Sequence, residues 1–77
     1  MEQQEYPKIS LRAARVNAEL TRTEAARRLG MDRETIARYE RGDTLPTEAT
    51  LKRMAALYRF PLECIKMPGK RRAQGDS

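Results

Sequence analysis

Apolar residues recur at helical spacing on either side of a turn within the segment 20–42. Gly30 separates the two patterns, and a glycine at a helix end takes up the left-handed conformation with little strain. The predicted inward positions of this segment are Ala25, Ala26, Leu29, Met31, Ile36 and Tyr39. The small alanines allow a second helix to approach closely. The pattern therefore predicts two short helices joined by a tight turn.

Helix-start signals place the beginnings of both helices. Thr21 is followed three residues later by Glu24, which is the spacing of a capping box, so the second helix of the chain should begin near Arg22. Asp32 offers an N-cap for the third helix, predicted over residues 33–41. The residues of this third helix that we expect to face outward are Arg33, Glu34, Ala37, Arg38 and Arg41.

Further helices are predicted on both flanks. Ser10 is a suitable N-cap for a first helix, with Ile9 placed to staple onto Ala14. After the turn residues 43–46, Thr47 should cap a fourth helix whose core stripe is Leu51, Met54, Ala55 and Tyr58, with Leu57 lying off the stripe. Pro61 suits the first position of a short fifth helix containing Leu62 and Ile65. The expected fold is a compact all-α domain of five helices.

The chain divides into three segments by composition. Residues 1–8 are polar and aperiodic and are expected to form a flexible arm, residues 9–66 form the folded domain, and residues 67–77 are expected to be a disordered basic tail. With 77 residues there is room for one small domain.

The whole pattern resembles the Cro/CI-type (XRE-type) helix-turn-helix of phage repressors between about residues 9 and 65. The residues that carry the resemblance are Arg15, Leu20, Thr21, Ala26, Leu29, Gly30, Met31, Ile36, Glu40-Arg41-Gly42, Pro46, Leu51, Ala55 and Phe60-Pro61-Leu62. The resemblance implies a lambda-repressor-like fold and a DNA partner. Two residues depart from the family pattern, because Arg22 stands where Gln is usual and Glu19 stands where Gly is frequent.

Charged side chains of the third helix have the chemistry for reading bases. Arginine can donate two parallel hydrogen bonds to guanine and glutamate can accept one from cytosine in the major groove. The resemblance places Arg33, Glu34 and Arg38 at base-reading positions. The alternative interpretation is a solvated helix face with surface ion pairs worth about 0–1 kcal/mol.

Other roles follow from the resemblance and from the chemistry of helix starts. Basic side chains and helix N-termini contact phosphates without reading sequence. The candidate phosphate contacts are Arg22, Thr23, Arg41 and Thr44. In the family, the arginine matching Arg15 pairs with the glutamate matching Glu40 and links the first helix to the third. The alternative is that Arg15 is simply solvated.

Composition favours a polyanionic partner. Sixteen basic and eleven acidic residues give a net charge of +5, and segment 8–66 holds thirteen of the bases and eight of the acids. The single Cys64 indicates a reducing compartment, and the N-terminus has no apolar leader, so we expect a cytoplasmic protein. Because the sequence contains no histidine and only one cysteine, we do not expect an enzyme, and we expect no metal ion or other cofactor.

The resulting hypothesis is a sequence-specific regulator of transcription that binds double-stranded DNA. The resemblance suggests a repressor of phage or mobile-element type. We expect it to act as a homodimer on a two-fold symmetric operator, since one such domain reads only a few base pairs. One alternative is an antitoxin-like or bridging module that uses this fold to hold a protein partner. A second alternative, non-specific binding to RNA or membrane, is disfavoured by an aromatic content of only 5%.

Overall fold

The computed structural model describes residues 7–67, which form four α-helices and one short pair of parallel strands. The elements in chain order are β1 (Ile9–Ser10), α1 (Leu11–Asn17), α2 (Arg22–Leu29), α3 (Arg33–Arg41), α4 (Glu48–Tyr58), a single 3-10 turn (Leu62–Cys64) and β2 (Ile65–Lys66). The helical prediction with its helix-turn-helix is confirmed, whereas the count of five helices is wrong. The predicted arm and tail lie outside the described residues, apart from Pro7, Lys8 and Met67.

Short extended segments replace the expected fifth helix. Ile65 takes an extended conformation directly after the 3-10 turn and pairs in parallel with Ile9. A β-branched residue such as isoleucine suits a paired strand better than a helix end. Ile9, expected as a staple on Ala14, is therefore a strand residue that joins the two ends of the domain. Met67 continues from this strand and packs against the core.

Three of the four predicted caps form side-chain hydrogen bonds. The hydroxyls of Ser10 and Thr47 accept from backbone N–H groups three residues later, at 3.0 and 3.1 Å. Thr21 and Glu24 form the full capping box, and the hydrogen bond from the Thr21 backbone lowers the pKa of Glu24. Asp32 has the N-cap backbone conformation, but its side chain makes no capping bond within the described part of the chain.

The core lies where α1, α2, α3 and α4 meet. Its buried hydrophobic members are Leu11, Ala14, Ala25, Ala26, Leu29, Ile36, Met54, Ala55, Tyr58 and Ile65. Leu57, predicted to lie off the core stripe of α4, is partly buried and packs against this cluster. A guanidinium nitrogen of Arg53 on α4 donates to the carbonyl of Leu29 at 3.0 Å, which ties α4 to the end of α2. Helix α4 thus supports the helix-turn-helix through its contact with α2.

Ala37 does not face outward as predicted, since only 6% of its surface is exposed. Residues 36, 37 and 40 fall at i, i+1 and i+4, which places them on one side of a helix. That side of α3 faces the rest of the domain, and a methyl group at position 37 is small enough to lie there. The buried face of α3 is therefore wider than the spacing of Ile36 and Tyr39 indicated.

Left-handed backbone conformations occur at four connections within residues 7–67, at Glu19, Gly30, Gly42 and Arg59. Gly30 ends α2 with a φ of 70°, as the turn prediction required. Glu19, in the turn between α1 and α2, has a φ of 63°, which is unusual for a residue with a side chain. This conformation explains why glycine is frequent at this position in the family, because glycine adopts a positive φ with little strain.

Candidate nucleic-acid interface

One row of charged side chains runs along the exposed side of α3. Glu34, Arg38 and Arg41 occupy positions i, i+4 and i+7, and each side chain is more than half exposed. We call these three residues the α3 stripe. The opposite side of α3 is held by the core, so the stripe projects from a fixed helix and can approach a partner along its length.

Ion pairs connect the α3 stripe in the free protein. The Glu34 carboxylate lies 3.8 Å from Nε of Arg38 and 3.4 Å from Nη2 of Arg41. Arg41 also donates from Nε to Asp43 at 2.9 Å, and hydrogen bonds to Asp43 and Glu34 raise the pKa of Arg41. Ion pairs between exposed side chains are weak, so these pairs exchange readily for contacts to another polar surface. Thr44 follows in the exposed loop after α3.

A buried carboxylate joins α1, α2 and α3. Glu40, with 2% of its side chain exposed, accepts from Nε of Arg15 at 2.7 Å and from Nη2 of Arg15 at 3.2 Å. Nη1 of Arg15 donates to the carbonyl of Leu20 at 2.8 Å, so all three guanidinium nitrogens of this buried arginine are bonded. The pairing of Arg15 with Glu40 that the resemblance implied is present, and it fixes α3 against α1.

Arg22 is a third member of this network. Its Nε donates to Glu40 at 3.0 Å, and 34% of its side chain remains exposed. Spacing along the chain gives no sign of this contact, because eighteen residues separate the two positions. Arg22 therefore lies between the buried carboxylate on one side and solvent on the other.

Tyr58 lies beside the network on the core side. Its hydroxyl oxygen is buried and has no hydrogen-bond partner within residues 7–67. Burial raises the pKa of Tyr58 to about 12, the charge of Glu40 adds to the rise, and Arg15 opposes it. The side of the network that faces Tyr58 is therefore closed to solvent. The side that is open to solvent is occupied by Arg22.

An open cavity of about 330 Å³ borders that exposed side. Its lining residues come from α1, the start of α2 and the start of α3, and they are Arg12, Arg15, Thr21, Arg22, Thr23 and Arg33. We call this the basic cavity. It brings together two predicted phosphate contacts, Arg22 and Thr23, and it contains Arg12, which the sequence analysis did not single out. The available signal was the position of Arg12, three residues before Arg15 on one helix.

The structure separates the predicted base-reading residues into two groups. Glu34 and Arg38 lie on the α3 stripe together with Arg41. Arg33 instead lines the basic cavity with the phosphate candidates of α2. Of the other predicted phosphate contacts, Arg41 belongs to the stripe and Thr44 lies in the loop beyond it.

This architecture, with an exposed charged helix held after a tight turn, defines a helix-turn-helix domain. A family model described as a helix-turn-helix domain matches residues 9–64. The chain belongs to this family, which is part of the Cro/CI (XRE-like) group, and the resemblance seen in the sequence is thereby confirmed. Searches of curated proteins and of solved structures found no match.

Membership of this family indicates a DNA partner. None of the helices within residues 7–67 is both long and apolar enough to cross a membrane. The same residues contain no group of three cysteine or acidic side chains arranged to hold a metal ion.

Proposed function

We propose that this protein binds double-stranded DNA sequence-specifically and regulates transcription, as a repressor of phage or mobile-element type. The observation that supports this proposal is the α3 stripe, a row of polar side chains on a helix whose other face is buried. The major groove of B-DNA is wide enough for one helix and shows a distinct pattern of donors and acceptors for each base pair. Helix 33–41 is the element that would enter it.

Within the stripe, Arg38 is the central residue. Its guanidinium can donate two hydrogen bonds to guanine, and Glu34 beside it can accept from the amino group of cytosine. The long 3.8 Å separation from Glu34 leaves Arg38 free to reorient toward base edges, and the contact of Glu34 with Arg41 is also long, at 3.4 Å. Arg41 and Thr44 follow at the end of the helix and in the next loop, where phosphate contacts would set the position of α3 in the groove.

A homodimer on a two-fold symmetric operator is part of the proposal. A nine-residue helix reads only a few base pairs, so two copies bound about one helical turn apart would supply the required selectivity. Leu57, the residues after Phe60 and the C-terminal tail form the candidate dimer surface. Sedimentation of the protein with a selected duplex would show two protomers per site, and a single protomer at saturation would contradict the dimer.

The primary experiment is selection of bound fragments from a random duplex pool. We expect an enriched motif with two-fold symmetry. The selected duplex, a random duplex and an RNA hairpin should then be compared at one fixed salt concentration, because phosphate contacts make every affinity depend on salt. Equal affinity for all three would contradict sequence-specific binding.

The substitution Arg38→Ala tests the reading role directly. We expect a loss of about 1–3 kcal/mol for the selected duplex with little change for the random duplex, since a base contact is lost and phosphate contacts remain. Arg28→Ala, which removes an exposed arginine from the last turn of α2, is the matched control. Equal losses on both duplexes would show that Arg38 does not read sequence.

A further inference from the structure

A second cavity lies where the ends of α1, α2 and α4 meet. It is an open groove of about 550 Å³, formed by residues 17–20 at the end of α1 and in the following turn, by Arg28, and by residues 57–60 at the end of α4. We call it the α1–α4 groove. Within residues 7–67 it shares no lining residue with the basic cavity or the α3 stripe, so the proposed DNA contacts do not involve it.

Apolar side chains contribute to both walls of this groove. Leu57 and Phe60 line it from the end of α4, and both are partly buried against the core. On the opposite wall, the carbonyl of Val16 accepts from the backbone N–H of Glu19 at 2.8 Å, which places Val16 in the turn that borders the groove. Because 51% of Val16 is exposed, this wall presents an apolar side chain that the domain itself does not bury.

The same two walls carry opposite charges. Glu19 stands in the turn after α1 and Arg59 at the end of α4, and both are exposed. Neither side chain forms an ion pair or a hydrogen bond with another residue of the described part of the chain. They are also the non-glycine residues of this part that have a positive φ, at 63° and 59°. Glycine adopts such conformations with less strain, so each charge is carried at a cost to the free domain.

Arg28, the other charged lining residue, has an opposite charge close by. It follows Glu24 by one helical turn on α2, and a glutamate four residues before an arginine attracts it. The charges of the groove that lack such compensation are therefore those of Glu19 and Arg59.

The two walls are complementary to each other. The α1 wall offers a carboxylate and a projecting apolar side chain, whereas the α4 wall offers a guanidinium and a partly buried apolar surface. A two-fold axis sets residue i of one copy against residue j of the other, and residue j against residue i. A second copy can therefore place its α1 wall on the α4 wall of the first, and the reverse contact forms at the same time.

We propose that two copies of this chain meet at the α1–α4 groove, with Glu19 of one copy paired to Arg59 of the other and Val16 packed against Leu57 and Phe60. This inference rests on the homodimer of the proposed function and assigns the residues that join the two copies. It adds the end of α1 to the candidate dimer surface. Each contact occurs twice in the dimer because of the two-fold symmetry.

Reversing the two charges separately tests the pair. In a dimer of Glu19→Arg two arginines would face each other, and in a dimer of Arg59→Glu two glutamates would do so. We expect each variant alone to dimerise at least about tenfold more weakly than the wild type in sedimentation equilibrium without DNA, because like charges repel across an interface. Lys52→Glu, the same kind of charge change at an exposed position of α4 outside the groove, is the control and should dimerise as the wild type does.

Mixing the two variants gives the decisive measurement. In a mixed dimer both contacts again join an arginine to a glutamate, so an equimolar mixture should regain an affinity close to that of the wild type. A change confined to the fold of either variant would not be repaired by mixing. Circular dichroism and thermal unfolding of each variant verify that the domain is folded.

Val16→Ser tests the apolar part of the contact. Since the side chain is half exposed in the free domain, thermal unfolding of dilute protein should stay unchanged, whereas dimerisation should weaken by about tenfold through the two copies of the contact. Leu45→Ser is the matched control, because Leu45 is 53% exposed in the loop after α3 and lies outside the groove.

The outcomes separate this inference from the proposed function. A wild type that stays monomeric up to its highest soluble concentration, or a mixture that does not regain the dimer, would overturn the inference. If neither charge variant weakens the dimer, another surface joins the copies, and a selected motif with two-fold symmetry would still support the proposed function. If mixing restores the dimer but no sequence is selected, the groove contact stands and sequence-specific regulation is refuted.

Discussion

Replacing Glu40 by Gln is the perturbation that tests most directly how α3 is held. The substitution keeps the size of the side chain and removes its charge. It leaves Arg15 buried, with 8% of its side chain exposed, and without the carboxylate that now lies 2.7 Å away. Because α3 is joined to α1 through this pair, the substitution should destabilise the whole domain.

The magnitude follows from the burial of the partners. Breaking a buried ion pair from one side costs about 3–5 kcal/mol, because the remaining charge has lost its compensation. Arg22 adds less, since a third of its side chain is exposed and water can replace Glu40 there, so its share is at most about 1 kcal/mol. A domain of 77 residues has a total free energy of unfolding of about 4–12 kcal/mol. Glu40→Gln should therefore remove a large part of the stability.

A double-mutant cycle with Arg15→Met isolates the pair. The free energies of unfolding are measured by urea denaturation, followed by far-ultraviolet circular dichroism. Arg15→Met also loses the hydrogen bond to the carbonyl of Leu20, but this loss occurs in the single and the double variant and cancels from the coupling. We expect the double variant to be less destabilised than the sum of the single variants, with a coupling of about 1–3 kcal/mol.

A coupling below about 0.5 kcal/mol would refute this reasoning, because that is the range in which independent sites add. The urea m-value serves as the control. It should stay constant across the cycle, which shows that the variants unfold from equally compact native states.

Two other predictions concern strain and burial. Glu19→Gly should raise the free energy of unfolding by about 0.5–1 kcal/mol in urea denaturation, because Glu19 has a φ of 63°, which glycine adopts with little strain. The control Glu19→Ala keeps a Cβ and should leave the free energy of unfolding unchanged. The raised pKa of Tyr58 contributes stability that is complete below pH 10 and is lost as pH rises toward 12. Unfolding measured across this pH range should show the wild type losing about 2–3 kcal/mol relative to Tyr58→Phe, and parallel curves would contradict the buried hydroxyl.

Local sequence signals were sufficient to predict the four helices and the turn between α2 and α3. The capping box at Thr21 and the glycine at position 30 act within a few residues, so their effect can be read from the sequence. The amphipathic spacing of α4 similarly identified its buried face, including Met54 and Tyr58. All three members of the α3 stripe were predicted to face outward, and more than half of each side chain is exposed.

Contacts between distant residues were not available from local patterns. The pairing of Ile9 with Ile65 joins two-residue strands, which are too short to show alternation, so the segment after Pro61 was predicted as a helix. Ala37 was assigned to the surface because alanine fits either environment, and its burial depends on the closeness of the neighbouring helices. The basic cavity is assembled from α1, α2 and α3 and required the fold itself.

Arg22 shows how the departure from the family pattern changes the site. A glutamine at this position would be neutral, whereas the guanidinium adds a positive charge and binds Glu40 at 3.0 Å. Glu40 is thus shared between a buried arginine that holds the helices together and an exposed one that faces the basic cavity. Because Glu40 binds both arginines, the carboxylate that stabilises the fold also sets the position of Arg22 relative to α3. The position of Arg22 and the orientation of the α3 stripe are therefore established together when the domain folds.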